Sequence, residues 1–376
     1  MEKTLVICGL VIAVSALLAG CERPPIIAVQ GGPRGTAMDQ IYNPRTLAKQ
    51  ASLNAVPDAS PPAPLQPDAP TAGKTYQNVK VLGDLSVGEF ARTMVAMTAW
   101  VAPQQGCTYC HVEGNFADET KYTKVVSRRM LQMTQHLNGE WQPHIGTTGL
   151  TCYACHRGNP VPLNVWYEPK KSRLDTAAMG GMPGKNHPAA SVGLSSLPTD
   201  PFSDYLLNDK PIRVNGPVPM AGKGATANRH STKQAEYTYG LMVHMSSSLG
   251  VNCTYCHNTQ SFQDWSISTP QRTTAYYGIR MTRDLNQNFL GAEPLTSVFP
   301  ANRRGPNGDV AKVNCTTCHQ GAFKPLYGAK MAYDYPAMLP SDKRKDPNAA
   351  PAVPAAAAAA TPTANAPQAG AAKVGG

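Results

Sequence analysis

The pattern Cys-x-x-Cys-His occurs four times in this chain, at Cys107–His111, Cys152–His156, Cys253–His257 and Cys315–His319. The chain has ten cysteines, and eight of them form the pairs Cys107/Cys110, Cys152/Cys155, Cys253/Cys256 and Cys315/Cys318. Only Cys8 and Cys21, both near the N-terminus, are left over. Two thiols about a helical turn apart match the two vinyl groups of one haem, and the adjacent imidazole projects under the ring toward iron. A lone Cys-x-x-Cys also suits zinc or a redox dithiol. Zinc ribbons do not require the following histidine, however, and a disulfide scaffold would not repeat it. The expectation is four covalent c-type haems on those eight cysteines, with His111, His156, His257 and His319 as proximal iron ligands.

Composition agrees with a haem-filled interior. The chain has 32 Gly and 34 Pro in 376 residues, well above ordinary usage, so its own apolar core is thin and four macrocycles would fill it. The formal charge of +10 invites a nucleic-acid or membrane-surface reading. Two propionates per haem would add about −8, so no nucleic-acid partner is expected.

Lys3 is followed by the apolar run Leu5 to Gly20, 16 residues long. A bilayer span takes roughly 20 residues, so the run has the shape of an export signal. It ends in Leu18-Ala19-Gly20-Cys21, which resembles a lipobox. Cleavage there would leave Cys21 to carry lipid and anchor the chain to a membrane.

Residues 1–20 are therefore read as a lipoprotein signal peptide and 21–75, Pro-rich and weakly patterned, as an arm or linker. A first di-haem segment covers 76–169, an irregular Gly/Pro-rich connector 170–230, and a second di-haem segment 231–335. Residues 336–376, ending in Ala/Pro-rich sequence, are read as a low-complexity tail. Met133-Thr-Gln-His-Leu-Asn138 answers Met281-Thr-Arg-Asp-Leu-Asn286, each ahead of the second motif of its half. The expected fold is mainly α with extensive irregular loops, a multihaem cytochrome c of two pseudo-symmetric di-haem halves.

A helix is expected before each motif. Ser86 and Glu89 fit a capping box, with Phe90, Met94, Met97 and Val101 at helical spacing. The others are expected over Tyr122 to Asn138, from near Ser231 (Gln234 as box partner) to a Gly250 C-cap, and from Pro270 to just before Gly291. A sixth ligand closes a haem iron and makes an electron carrier, and Met is the ligand that raises potential. Met94 stands 13 residues before Cys107, Met130 22 before Cys152 and Met242 11 before Cys253. Met97, Met133 and Met245 compete from three residues away, whereas His244 lies some 200° around its helix from Met242. For the fourth haem two candidates stay open, Met281 by the duplication and His144 from the loop Gln142–Gly146.

These residues resemble one family, the tetrahaem cytochrome subunit of the bacterial photosynthetic reaction centre. The similarity covers roughly residues 76–335. It rests on Phe90-Ala-Arg-Thr-Met94, Gly106-Cys-Thr-Tyr-Cys-His111, Leu249-Gly-Val-Asn-Cys253 and Ser268-Thr-Pro-Gln-Arg272, with the lipobox in agreement. The resemblance implies three His/Met haems, taking Met94, Met130 and Met242, and one His/His haem taking His144, which returns Met281 to packing.

It also implies an electron carrier, not an enzyme, on the periplasmic face of the photosynthetic inner membrane, bound to the reaction-centre core membrane subunits. The haem at Cys107/Cys110 would be distal and would receive electrons from a soluble periplasmic cytochrome c or iron–sulfur protein. The haem at Cys253/Cys256 would lie nearest the pigments and re-reduce the photo-oxidised bacteriochlorophyll pair, with the cationic Arg272 beside it. Two competing functions are weaker. A quinol-oxidising tetrahaem cytochrome usually keeps an uncleaved helix and paired His ligands, yet only His136, His144, His187, His230 and His244 lie outside the motifs. A multihaem reductase needs an iron without a distal ligand, and candidate ligands here exceed need.

Overall fold

The computed structural model describes residues 27–30, 39–58, 61, 68–170, 188–214 and 232–344. Cys8, Cys21, His187, His230 and Ser231 lie outside the described residues, as do the signal and most of the tail. The architecture is helices joined by long irregular segments. Among the described residues the sheet content is one antiparallel ribbon, β1 (Ile27–Gln30) against β2 (Asp39–Tyr42), plus isolated bridges.

Part of the arm is more ordered than its weak patterning suggests. Helix α1 (Pro44–Leu53) begins where Asn43 accepts from the Arg45 amide at 2.9 Å and Pro44 takes the first helical position. It ends at Asn54, which is buried. The Asn54 amide donates to Gln320 O at 3.2 Å and its oxygen accepts from Leu326 N at 3.1 Å. The arm thus lies on the chain's own fourth motif.

Four longer helices stand ahead of the motifs as the periodicity requires. Helix α2 (Val87–Val101) is capped by Ser86 Oγ accepting from Glu89 N at 3.3 Å. Helix α3 runs Tyr122–Glu140, two residues past the expected end. Helix α4 (Thr232–Leu249) stops at Gly250, whose φ of +66° favours glycine and where an added Cβ would run into Gly321 O. Helix α5 (Pro270–Asp284) continues into one wide π turn, Leu285–Leu290, before Gly291.

Two boundaries need correction. Residues 336–344 are not tail. Ala337 and Met338 are fully buried beside Leu82, Trp100 and Leu131, and Tyr335 meets the Trp100 ring edge-on at 4.7 Å. Asn138 donates to Met338 O at 2.8 Å, and Arg344 pairs with Asp84 at 2.5 Å. The connector is likewise not all loop, because Phe202, Tyr205 and Leu206 form a core with Trp166, Leu241 and Ile279. Both segments are short apolar runs inside Gly/Pro-rich sequence, where a compositional reading averages them away.

Candidate haem sites

Each motif closes as one helical turn. In the first three, the His amide donates to the carbonyl of the first Cys at 3.0 Å, while the fourth is a helix, Cys315–His319, capped by Asn314. The first and third motifs are 3-10 turns, Cys107–Tyr109 and Cys253–Tyr255, with Cys107 and Cys253 exposed. In both, a downstream threonine (Thr123 or Thr269) donates to the motif's tyrosine carbonyl at 2.5 and 2.6 Å. In the second and fourth, the residue after the histidine, Arg157 or Gln320, turns left-handed.

Every motif histidine has the same second bond. Its Nδ1 lies against a backbone carbonyl: His111 to Phe116 at 3.0 Å, His156 to Asn159 at 2.8 Å, His257 to Phe262 at 2.7 Å and His319 to Ala322 at 2.9 Å. A carbonyl can only accept, so Nδ1 carries the proton and the Nε2 lone pair stays available. Metal-binding histidines are oriented in this way. Burial also disfavours the imidazolium, lowering the pKa of His156 and His257 and bringing His319 to about 4. These four carbonyls were not foreseen. They fall five residues after His in the first and third motifs and three after in the second and fourth, a spacing fixed by turns rather than by side-chain type.

Four of the motif thiols are made poor nucleophiles by burial. Burial raises Cys110, pushes Cys152 and Cys256 up to about 11, and Cys315 up to about 12. Redox dithiols need the opposite shift.

Opposite His319 lies His144. Their ring centres are 6.1 Å apart. Two metal–nitrogen bonds of about 2.0 Å, with about 1.1 Å from each nitrogen to its ring centre, span about 6.2 Å. The separation therefore matches that of two imidazoles holding one iron between them. His144 sits on a short helix, Gln142–Ile145, with its Nδ1 against Thr274 O at 2.9 Å, and burial lowers its pKa.

The other described histidines are engaged elsewhere. His136 contacts Asp284 at 2.7 Å, and His244 contacts Ser191 O at 3.0 Å with its ring edge-on to Phe202.

All the candidate methionines are half-buried, and packing alone does not separate them. Met94 and Met97 lie on the core containing Cys152, Met130 and Met133 against Leu290 and Val310, Met242 and Met245 against Trp166. Met281 packs with Met133 against Leu137 and Phe289. Arg272 is not a freely solvated helix-start residue. It stacks on Trp265 at 4.0 Å and donates to Asp264 O at 2.8 Å and Ser268 Oγ at 2.7 Å, with Cys256 in electrostatic range.

The second and fourth motifs touch, for Cys155 and Cys318 are joined by an S–S bond with Cα atoms 4.3 Å apart. A sulfur so paired cannot also bond a haem vinyl carbon, so each of these two cysteines is either disulfide or thioether, never both.

Turn-closed Cys-x-x-Cys-His motifs with tautomer-fixed histidines define a c-type cytochrome, a protein that holds haem covalently. A model of the photosynthetic reaction centre cytochrome c subunit matches residues 22–339. The photosynthetic reaction center cytochrome c subunit of Rubrivivax gelatinosus is 56% identical over 332 residues, 88% of each chain. The protein of the same name from Thermochromatium tepidum is 48% identical over 330 residues, 88% of this chain and 79% of its own. That of Roseobacter denitrificans is 36% identical over 324 residues, 84% and 86% respectively.

The chain belongs to the family of photosynthetic reaction centre cytochrome c subunits. It is an electron carrier rather than an enzyme, carries c-type haem covalently and associates with the reaction-centre core at a membrane. Among the described residues no helix is long and apolar enough to cross a membrane.

Proposed function

We propose that the chain carries four haems that take electrons from a soluble periplasmic donor and re-reduce the photo-oxidised bacteriochlorophyll pair. The observation that carries the count is the shared bond of the motif histidines: all four point Nδ1 at a carbonyl and leave Nε2 for iron. The distal ligands are Met94, Met130 and Met242 for the first three haems and His144 for the fourth. The 6.1 Å facing of His144 and His319 supports the last assignment. All eight motif cysteines then form thioethers, Cys155 and Cys318 included.

The chain also reads as two pseudo-symmetric di-haem halves. Asn138 brackets Leu150 as Asn286 brackets Val313, amide to carbonyl at 2.9 Å in both and amide N–H to side-chain oxygen at 2.7 and 2.8 Å. Repeat-equivalent residues meet each other, His136 with Asp284 and Cys155 with Cys318, as they do beside a two-fold axis. With the second and fourth motifs touching and Cys107 and Cys253 exposed, the haems form a line. The first lies at the donor end and the third at the pigment end, with Arg272 beside the third. Cys21, lipidated after cleavage of 1–20, holds the chain at the periplasmic face of the inner membrane.

Flash spectroscopy on membranes tests the role. A flash should bleach a c-haem band with the kinetics of pigment-pair re-reduction, and a pair re-reduced while the haem bands stay constant would overturn the proposal. Haem assay and intact mass should give four haems per chain and a lipidated N-terminal cysteine. A retained Cys155–Cys318 disulfide would refute the eight thioethers.

A further inference from the structure

We infer that Gly278 marks the distal-ligand position of helix α5, and that its lack of a side chain is what admits His144 to the face of His319. This rests on the proposed ligation of the fourth haem by His144.

The register comes from two buried marks shared by α3 and α5. Thr134 Oγ1 donates to Met130 O at 2.9 Å, and Thr282 Oγ1 donates to Gly278 O at 2.8 Å. Four residues beyond each threonine stands the asparagine that brackets the segment leading to the next motif, Asn138 or Asn286. Met130 and Gly278 are therefore the same position on the two helices. One presents a thioether and the other presents nothing.

What occupies the place of the missing side chain is the imidazole of His144. A Cβ built on Gly278 would stand 2.5 Å from His144 Cε1 and 2.8 Å from its Nδ1, closer than non-bonded atoms approach. The same imidazole is held by the carbonyl of Thr274, one helical turn earlier on α5. The helix thus supplies both the anchor for the ring and the space for it, and Gly278 is a positioning residue for His144. The register also separates the paired methionines. The position facing the ring is 278 and not 281, so its counterpart on α3 is Met130 and not Met133.

Three variants of the full haem-loaded chain test this, read by redox titration and by the low-spin spectroscopic signatures of His/His and His/Met haem. Gly278→Ala should abolish the single His/His signature and leave the three His/Met haems unchanged. Ala is the better helix former by about 1 kcal/mol, so a loss there does not come from a weakened helix. Gly278→Met combined with His144→Ala should give a fourth His/Met haem at raised potential, since Met ligation raises potential. If Gly278→Ala lowers the yield of loaded protein, adding His144→Ala should restore it by removing the obstructed ring.

An intact His/His signature in Gly278→Ala, or a yield that His144→Ala does not restore, overturns the inference. His144→Ala alone guards the parent reading. Were that variant to keep the His/His signature, the ligand assignment itself would fall, whichever result Gly278 gives.

Discussion

Asn286 is buried with no exposed surface, and its side chain makes three bonds to backbone. Its amide donates to Leu206 O and to Val313 O, both at 2.9 Å, and its oxygen accepts from Val313 N at 2.8 Å. Asn286→Ala leaves one N–H and two carbonyls without these partners. A stranded buried group costs about 1–3 kcal/mol. The carbonyls can share their second lone pair with water more readily than an N–H can find a new acceptor. A loss of about 3–5 kcal/mol follows, a large part of the 5–15 kcal/mol typical of a folded domain. Asn138 makes the same three bonds, to Leu150 O, Met338 O and Leu150 N, so Asn138→Ala should fall within about 1 kcal/mol of it.

The assay is guanidinium unfolding of purified holoprotein followed by circular dichroism, compared at constant denaturant slope. Asn286→Leu is the control, because it fills the space without making the bonds. If hydrogen bonding is the cause, Leu loses as much as Ala. A loss below about 1 kcal/mol for Asn286→Ala, or recovery by Leu, would refute the account.

Three further outcomes are expected. Burial brings His244 to about 4, so the folded state holds it neutral while the unfolded chain titrates near 6.5. That contribution is complete above about pH 6.5 and is lost as pH falls toward 4, about 3 kcal/mol in all; His244→Asn should flatten the pH profile of the unfolding midpoint over that window, and an unchanged profile counts against it. Arg272→Gln should lower the potential of the haem proposed at Cys253/Cys256 and leave that of any other haem in place, as read by redox titration, whereas Arg272→Lys should hold the potential but loosen the loop packed on Trp265. A chain ending after residue 335 should have a lower thermal midpoint than one ending after 344, because Met338 leaves the core and Asn138 loses a buried acceptor, a cost of about 2–4 kcal/mol.

What the sequence made legible was whatever is written within a few residues. Motif turns, the Ser86 cap, the Pro270 start and the Gly250 stop are all local, and each came out within a turn of its expected place. The carbonyl partners of the motif histidines are also local, yet they were missed because a carbonyl has no residue signature. Contacts between distant segments were not legible at all. Residues 336–344 carry no strong periodicity, and it is the burial of Ala337 and Met338, with the bonds to Asn138, Gln135 and Asp84, that shows them closing the first core. Likewise Tyr205–Leu207, with Phe202 set apart by Ser203 and Asp204, is too short an apolar stretch to stand out from the Gly/Pro-rich sequence around it.

The proposed duplication shows why the proposed fourth haem resists a purely sequential reading. Aligning Met133 with Met281 by their shared strings makes Met281 look like a ligand candidate. Both residues pack against Leu137 and Phe289, and under the proposed ligation neither is a ligand, so the shared strings align equivalent positions without marking the ligand. The position that differs between the halves is one turn earlier, Met130 against Gly278, and a glycine gives no hint of what fills its place. Only the ring of His144, 6.1 Å from His319 and against Gly278, does that. Under the proposed ligation, one absent side chain changes a thioether ligand to an imidazole and lowers one potential among four. A repeated unit with four equivalent sites would offer an electron no energetic landmarks. Under the same proposal, losing the ligand at one repeat position, and borrowing another across the interface between halves, would make the four haems unequal without altering the scaffold that spaces them.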